Sequence, residues 1–133
     1  MDQEGTVRSS LGRVLVVDDE PYVGSMLRDV LTDLGYAVKH AGGGVEGLQL
    51  ISLFEPDAVL LDLKMPGMSG LEVLDYLRRD YPELPVVMLS GSEDATLARA
   101  TLRGGAFDYI QKPCDIAALA RVVAAAIGSG SGG

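Results

Sequence analysis

The sequence AVLLDLKMP at Ala58–Pro66 contains four apolar residues followed by an aspartate, Asp62. Three more apolar runs in the chain also end in polar, reactive residues: Val14–Val17 before Asp18 and Asp19, Val86–Leu89 before Ser90, and Tyr109–Ile110 before Gln111 and Lys112-Pro113. If the runs are parallel strands, their carboxyl ends share one edge of the sheet, which is where open α/β sheets bind ligands. The sequence therefore predicts three carboxylates, a hydroxyl and an ammonium at that edge. Such a group can hold a hard cation and transfer a phosphoryl group to a carboxylate.

Composition indicates a single acidic domain. The chain has 133 residues, 47% of them hydrophobic, and a net charge of −8. The negative charge argues against direct binding of nucleic acid. The single cysteine, Cys114, excludes an internal disulfide, and no apolar stretch reaches the length of a membrane span. With an N-terminus unlike a signal peptide, the expectation is a soluble cytoplasmic protein that does not contact the membrane.

The order of patterns along the chain predicts the domain boundaries and the fold. Residues 1–12 are expected to be a flexible arm, residues 13–127 the folded domain, and residues 128–133, which read GSGSGG, a flexible linker or a cloning tail. A short second strand is predicted at Ala37–Ala41. Helical spacing follows each strand, with a third helix at Gly70–Asp80 and a weakly patterned fourth helix at Glu93–Arg103. This alternation predicts a doubly wound α/β fold with a five-stranded parallel sheet and five helices. Of the two common strand orders, we predict the flavodoxin-like order 2-1-3-4-5, in which the four strands that end in reactive residues are neighbours.

Carboxylates at the predicted edge indicate a cation site. A single aspartate at a loop is commonly solvated or caps a helix. Asp18, Asp19 and Asp62 follow adjacent strands in the predicted order, however, and would repel one another unless a cation bound between them. Mg²⁺ prefers such oxygen ligands.

The other polar residues near this edge are open to two interpretations each. Lys112 could form a plain salt bridge or contact a phosphoryl oxygen. Ser90 could cap the fourth helix or donate its hydroxyl to a phosphoryl group, and the spacing favours neither. His40, in the second strand, is expected to be an ordinary solvated side chain away from the site.

Four segments together resemble the receiver (CheY-like) domain of bacterial two-component response regulators. They are VLVVDDEP (Val14–Pro21), AVLLDLKMPGMSGLEVL (Ala58–Leu74), PVVMLSG (Pro85–Gly91) and GAFDYIQKP (Gly105–Pro113). Their order and spacing cover about Arg13 to Ile127, and the combination is far more specific than any one segment.

The resemblance implies a role for each site residue. Asp62 would be the phosphoacceptor, and Mg²⁺ would be bound by Asp19, Asp62 and the backbone carbonyl of Lys64, with Asp18 acting through water. Lys112, preceding a cis peptide bond to Pro113, would pair with the phosphoryl group. Ser90 would be the switch hydroxyl and Tyr109 the switch aromatic.

The implied function is a phosphorylation-dependent signalling switch rather than an enzyme, although the domain would assist its own phosphorylation and autodephosphorylation. A sensor histidine kinase or a phosphotransfer protein would be the donor. The surface of the fourth helix, fifth strand and fifth helix would control an output domain or protein, and could also serve for dimerisation.

Three alternatives fit the sequence less well. An aspartyl phosphatase of the haloacid-dehalogenase type needs Asp-x-Asp after the first strand, where this chain has Asp18-Asp19-Glu20. A flavin-binding flavodoxin would have a Ser/Thr-rich loop there and aromatic residues around the ring, whereas this loop is acidic and the chain has no tryptophan. A receiver used for docking without phosphorylation would not need the complete acidic set.

Overall fold

The computed structural model describes residues 10–131. Its five strands are β1 (Arg13–Val17), β2 (Ala37–Ala41), β3 (Ala58–Asp62), β4 (Val86–Ser90) and β5 (Asp108–Gln111). Its five α-helices are α1 (Pro21–Asp33), α2 (Gly44–Phe54), α3 (Gly70–Asp80), α4 (Ala95–Arg103) and α5 (Ile116–Ser131), and a short 3₁₀ turn covers Ser92–Asp94. The strands are parallel and ordered β2-β1-β3-β4-β5. This confirms the predicted flavodoxin-like fold.

Alternate residues of the central strands face opposite sides of the sheet, so the core has two halves. On one face, Leu15, Val59 and Met88 pack against α2 and α3 through residues such as Ile51 and Leu74. On the other face, side chains of the same strands pack against α1 and α5: Val16, Leu60, Leu89, Leu27, Leu31, Leu119 and Val123. Every residue of β3 and β4 is buried, which explains why these strands read as continuous apolar runs.

Helix α3 begins and ends at the predicted residues. Ser69 caps it, since its Oγ accepts a hydrogen bond from the Glu72 amide at 3.3 Å while Glu72 Oε1 accepts one from the Ser69 amide at 2.9 Å. This reciprocal arrangement satisfies two amide groups that the first turn leaves without partners. Gly35 follows α1 with a φ of +110°, a conformation that favours glycine at the end of a helix.

Two predicted boundaries were wrong. Helix α4 begins at Ala95 rather than Glu93, because the preceding residues form the 3₁₀ turn, in which the Asp94 amide donates to the Gly91 carbonyl. Helix α5 continues past Ile127 to Ser131, so four of the six residues predicted as a linker are helical. Within this extension, Ser129 Oγ donates to the Ala126 carbonyl at 2.7 Å. Residues 132–133, and residues 1–9 of the predicted arm, lie outside the described part of the chain.

Candidate functional site

The polar residues that follow β1, β3, β4 and β5 meet at the carboxyl edge of the sheet. Strand pairing places Asp62, the last residue of β3, beside Leu89, and Ser90, the last residue of β4, beside Gln111. The Lys112 amide donates to the Ser90 carbonyl at 2.7 Å, which extends the pairing of the last two strands by one residue. The sheet order therefore gathers residues that are far apart in the sequence.

Three carboxylates form an acidic cluster at this edge. Asp18, Asp19 and Asp62 each offer an oxygen atom that lies within 4.8 Å of the others. Asp18 is fully buried, Asp62 is 6% exposed, and Asp19 is partly buried. Negative charges so close together and removed from water destabilise one another, and a bound cation relieves that repulsion. The oxygen-only donor set fits Mg²⁺.

Lys112 balances part of this charge. Its Nζ lies 2.9 Å from Asp18 Oδ2, 3.3 Å from Asp62 Oδ1 and 3.5 Å from Glu20 Oε1. The lysine is the residue before a cis peptide bond to Pro113, as the resemblance implied. Glu20 was not among the predicted site residues, although it directly follows the aspartate pair.

These contacts change the acidity of both partners. Burial, followed by the nearby charge of Asp18, raises the pKa of Asp62 from 3.8 to about 6, and Lys112 only partly offsets this. Burial lowers the pKa of Lys112, but the ion pairs with Asp18 and Asp62 outweigh burial and hold the pKa above its ordinary value. The lysine is thus a permanent positive charge, whereas Asp62 carries its negative charge at an energetic cost.

The backbone beneath Asp62 is tightly packed. The Gly70 amide, at the start of α3, donates to the Leu63 carbonyl at 3.0 Å. A Cβ atom at position 70 would lie 2.2 Å from the Asp62 carbonyl oxygen and 2.8 Å from Leu63 Cα. Glycine is therefore required where α3 approaches the end of β3.

The predicted switch residues lie on the two neighbouring strands β4 and β5. Ser90 is 1% exposed at the end of β4. Tyr109 pairs with Met88 and packs, partly buried, against the core on the α2–α3 face of the sheet. Their roles in switching stay predictions.

Lys64, two residues after Asp62, makes an ion pair that the sequence did not indicate. Its Nζ lies 2.8 Å from Asp94 Oδ1, so the loop after β3 is joined to the turn before α4. The Asp94 side chain is 7% exposed and does not cap α4, although it stands at the N-cap position. The role of the Lys64 carbonyl as a metal ligand stays a prediction.

His40 is not the solvated side chain that we expected. The imidazole is partly buried, and its Nε2 lies 2.9 Å from the backbone carbonyl oxygen of Asp18. Strand β2 thus contacts, through a side chain, the loop Asp18–Glu20 that follows β1, which we call the acidic loop. A lone histidine in a strand gives no signal of such a contact, because the contact depends on the β1–β2 register, in which His40 lies beside Val16.

Comparison with known proteins identifies the family. The model for the response regulator receiver domain matches residues 14–124. The chain belongs to this family. This receiver domain is 45% identical over 101 residues to the response regulator MprA of Mycobacterium sp. (strain KMS), and the match covers 76% of this chain and 44% of MprA. It is 38% identical over 102 residues to the nitrogen assimilation regulatory protein NtrX of Azorhizobium caulinodans, covering 75% of this chain and 22% of NtrX.

Solved structures agree with this assignment. The receiver domain of NtrX from Brucella abortus superimposes with a TM-score of 0.84 at 35% identity, covering 86% of this chain and 98% of the other.

The chain spans less than half the length of the relatives MprA and NtrX, since the matches cover 44% and 22% of those proteins. No helix in residues 10–131 is long and apolar enough to cross a membrane.

Membership of the family establishes the general function. Receiver domains act in phosphorylation-dependent two-component signalling and are signalling domains rather than conventional enzymes. They bind Mg²⁺ at an acidic aspartate cluster, and this chain has such a cluster at Asp18, Asp19 and Asp62.

Proposed function

We propose that this receiver domain accepts a phosphoryl group on Asp62 from a phosphohistidine of a partner kinase or phosphotransfer protein. The observation that carries the proposal is the environment of Asp62, a buried carboxylate within reach of two others and 3.3 Å from Lys112 Nζ. Among the described residues, this cluster combines the charges and the placement that phosphoryl transfer to a carboxylate requires. We also propose that this reaction takes place in the cytoplasm.

The chemistry is an in-line displacement. An Asp62 carboxylate oxygen attacks phosphorus as the bond from phosphorus to the histidine nitrogen breaks, and the imidazole leaves with the bonding electron pair. Lys112 stabilises the negative charge that accumulates on the phosphoryl oxygens. Asp19, Asp62 and the Lys64 carbonyl would hold Mg²⁺ directly, and Asp18 would hold it through water. When bound, the ion supplies further positive charge beside those oxygens. Attack of water on phosphorus, with Asp62 leaving, returns the domain to its resting state by autodephosphorylation.

Phosphorylation then changes a surface of the domain. The acyl phosphate adds charge and hydrogen-bond acceptors next to Ser90, whose hydroxyl donates to it, and Tyr109 fills the space that Ser90 leaves. This repacking shifts a two-state equilibrium of the surface formed by α4, β5 and α5. That surface contacts the output domain or protein, or a second receiver in a dimer.

Labelling with a small phosphodonor tests the acceptor. With Mg²⁺ and acetyl phosphate, intact-mass analysis should show one added phosphoryl group on the wild-type protein and none on Asp62→Asn. Asp75→Asn, which changes an exposed carboxylate of α3, is the control and should be labelled normally. Undiminished labelling of the Asp62 variant would remove Asp62 as the acceptor.

Calorimetric titration tests the metal site. Asp19→Ala should weaken Mg²⁺ binding, because it removes a proposed direct ligand, while Asp75→Ala should leave the affinity unchanged. Equal affinities for wild type and Asp19→Ala would place the ion elsewhere.

A third experiment separates phosphorylation from signalling. Lys112→Ala should still be labelled on Asp62, although more slowly, but its α4–β5–α5 surface should respond less to phosphorylation. Amide NMR shifts with and without beryllofluoride, a phosphoryl mimic, measure that response. A full response in Lys112→Ala would show that the lysine only forms structural ion pairs.

A further inference from the structure

The backbone of Asp18 is held by strand β2 at both of its polar groups. The Asp18 amide donates to the Ala41 carbonyl at 3.0 Å, and the Asp18 carbonyl oxygen lies 2.9 Å from His40 Nε2. A carbonyl oxygen can only accept a hydrogen bond, so Nε2 must carry the proton in this contact. The peptide group between Asp18 and Asp19 is therefore fixed by the imidazole.

The Asp18 side chain is held as well. Its Oδ1 accepts a hydrogen bond from the Glu20 amide at 2.9 Å, and its Oδ2 pairs with Lys112. With the backbone and the carboxylate of Asp18 both fixed, the start of the next residue, Asp19, has little freedom. Within residues 10–131, His40 adds a side-chain restraint from β2, a strand that contributes no residue to the acidic cluster.

A glycine in helix α1, Gly24, leaves space for this imidazole. Gly24 is buried in α1, and a Cβ atom at that position would lie 2.1 Å from His40 Nε2 and 2.2 Å from Cε1. The ring thus occupies the space that any other residue at position 24 would fill. Glycine is unfavourable inside a helix, and its presence here allows the close approach of the ring.

We propose that His40 is a positioning residue for phosphoryl transfer, which holds the Asp18–Asp19 peptide so that the Asp19 carboxylate faces Asp62. The inference rests on the proposed function of Asp62 and adds a residue from β2 to it. The proposed role requires no contact between the imidazole and the phosphoryl group or the metal. Its effect passes through the backbone of the acidic loop, which carries two of the three clustered carboxylates.

Two substitutions of His40 separate positioning from simple packing. Glutamine has its amide nitrogen as many bonds from Cα as His40 Nε2 and can donate the same hydrogen bond, whereas leucine fills space without a donor. His40→Leu should lower the rate of labelling by acetyl phosphate roughly 3- to 10-fold, the effect of one lost hydrogen bond, and should weaken Mg²⁺ binding. His40→Gln should restore most of both.

The metal-free protein provides a readout that does not depend on phosphorylation. His40 is the only histidine of the chain, so its imidazole signals in long-range ¹H–¹⁵N spectra need no assignment and should show the Nε2-protonated tautomer. The carbonyl ¹³C shift of Asp18 and the amide shift of Asp19 should change in His40→Leu and return toward wild type in His40→Gln.

Gly24→Ala provides a second way to remove the contact between His40 and the Asp18 carbonyl oxygen. The added methyl group should displace the imidazole without altering any site residue, so labelling should slow as in His40→Leu. The double variant should be no slower than His40→Leu alone, because the contact is already lost. Thermal melts show which variants are folded.

Two results would overturn the inference. One is labelling of folded His40→Leu at the wild-type rate, and the other is a folded His40→Gln as slow as His40→Leu. Failure of the proposed function would appear differently, as wild-type labelling that does not depend on Asp62, while the metal-free spectra would still report whether His40 holds the Asp18 carbonyl.

Discussion

Replacing Asp62 by asparagine should make the domain more stable at neutral pH. The substitution removes a negative charge that is buried beside two other carboxylates, and it keeps the shape of the side chain and an oxygen that can accept from Lys112. The pKa of Asp62 is raised from 3.8 to about 6, so the folded state binds this proton more tightly than the unfolded chain does. Ionisation of Asp62 therefore lowers stability, as linkage requires.

The size of the effect follows from the same shift. A difference of about two pKa units corresponds to roughly 3 kcal/mol, and solvent screening at the open edge of the sheet reduces this to about 1–2 kcal/mol. The direction of the pKa shift fixes the pH range over which the stability of the wild-type domain changes. Wild-type stability should fall as the pH rises from about 4 to about 6 and stay level above, because the unfolded chain loses this proton first.

Urea denaturation monitored by circular dichroism, in EDTA, measures the difference. The free energy of unfolding of Asp62→Asn should exceed that of wild type by about 1–2 kcal/mol near pH 7. The two values should converge at about pH 3 and below, where Asp62 is mostly protonated in both the folded and the unfolded state. Asp75→Asn, on the exposed side of α3, should show little change at either pH. If Asp62→Asn is no more stable than wild type at neutral pH, the repulsion inferred for the cluster is wrong.

Three further predictions concern the packing of the domain and the acidity of Asp62. Gly70→Ala should destabilise the domain by about 3 kcal/mol in urea denaturation, because the new methyl group meets the backbone of Asp62. Gly42→Ala, whose new methyl group would meet only Glu46 Oε1 at 3.6 Å, should change the stability little. The initial rate of acetyl phosphate labelling at low Mg²⁺ should rise as the pH passes about 6, because only the ionised carboxylate attacks, and a flat profile would contradict the raised pKa. Arg78→Met should cost about 2–4 kcal/mol in thermal or urea unfolding, because it removes the guanidinium donor of three backbone carbonyls, those of Gly105, Tyr81 and Leu84.

Local sequence patterns were sufficient for most of the fold. Buried parallel strands need apolar side chains on both faces, so Ala58–Asp62 and Val86–Ser90 could be recognised as continuous runs. Helix α3 could be located because its apolar residues recur at helical spacing. The end of α5 could not be, because glycine and serine ordinarily favour a linker, and here they continue a helix.

The site was predictable where it follows from strand order and unpredictable where it depends on side-chain reach. Asp18, Asp62 and Lys112 come together because β1, β3, β4 and β5 are neighbours. The alternation of strands and helices predicted a doubly wound parallel sheet, and this strand order is one of the two that are common in such sheets. The contacts of Lys64 with Asp94 and of His40 with Asp18 depend on loop conformation and on rotamers. No spacing in the sequence encodes either contact.

The packing of Gly70 against the end of β3 has a mechanical consequence. Strand β3 is buried along its whole length between two neighbouring strands, and α3 touches the backbone of Asp62 with no space between them. After the adjacent strand β4, the turn that carries Asp94 is joined to the loop of β3 by an ion pair between the exposed Lys64 and the buried Asp94 carboxylate. The support beneath the carboxylate is therefore backbone packing, whereas the described link beside it is an ion pair of two side chains. We expect a structural change that starts at Asp62 to move the neighbouring turn more easily than the start of α3.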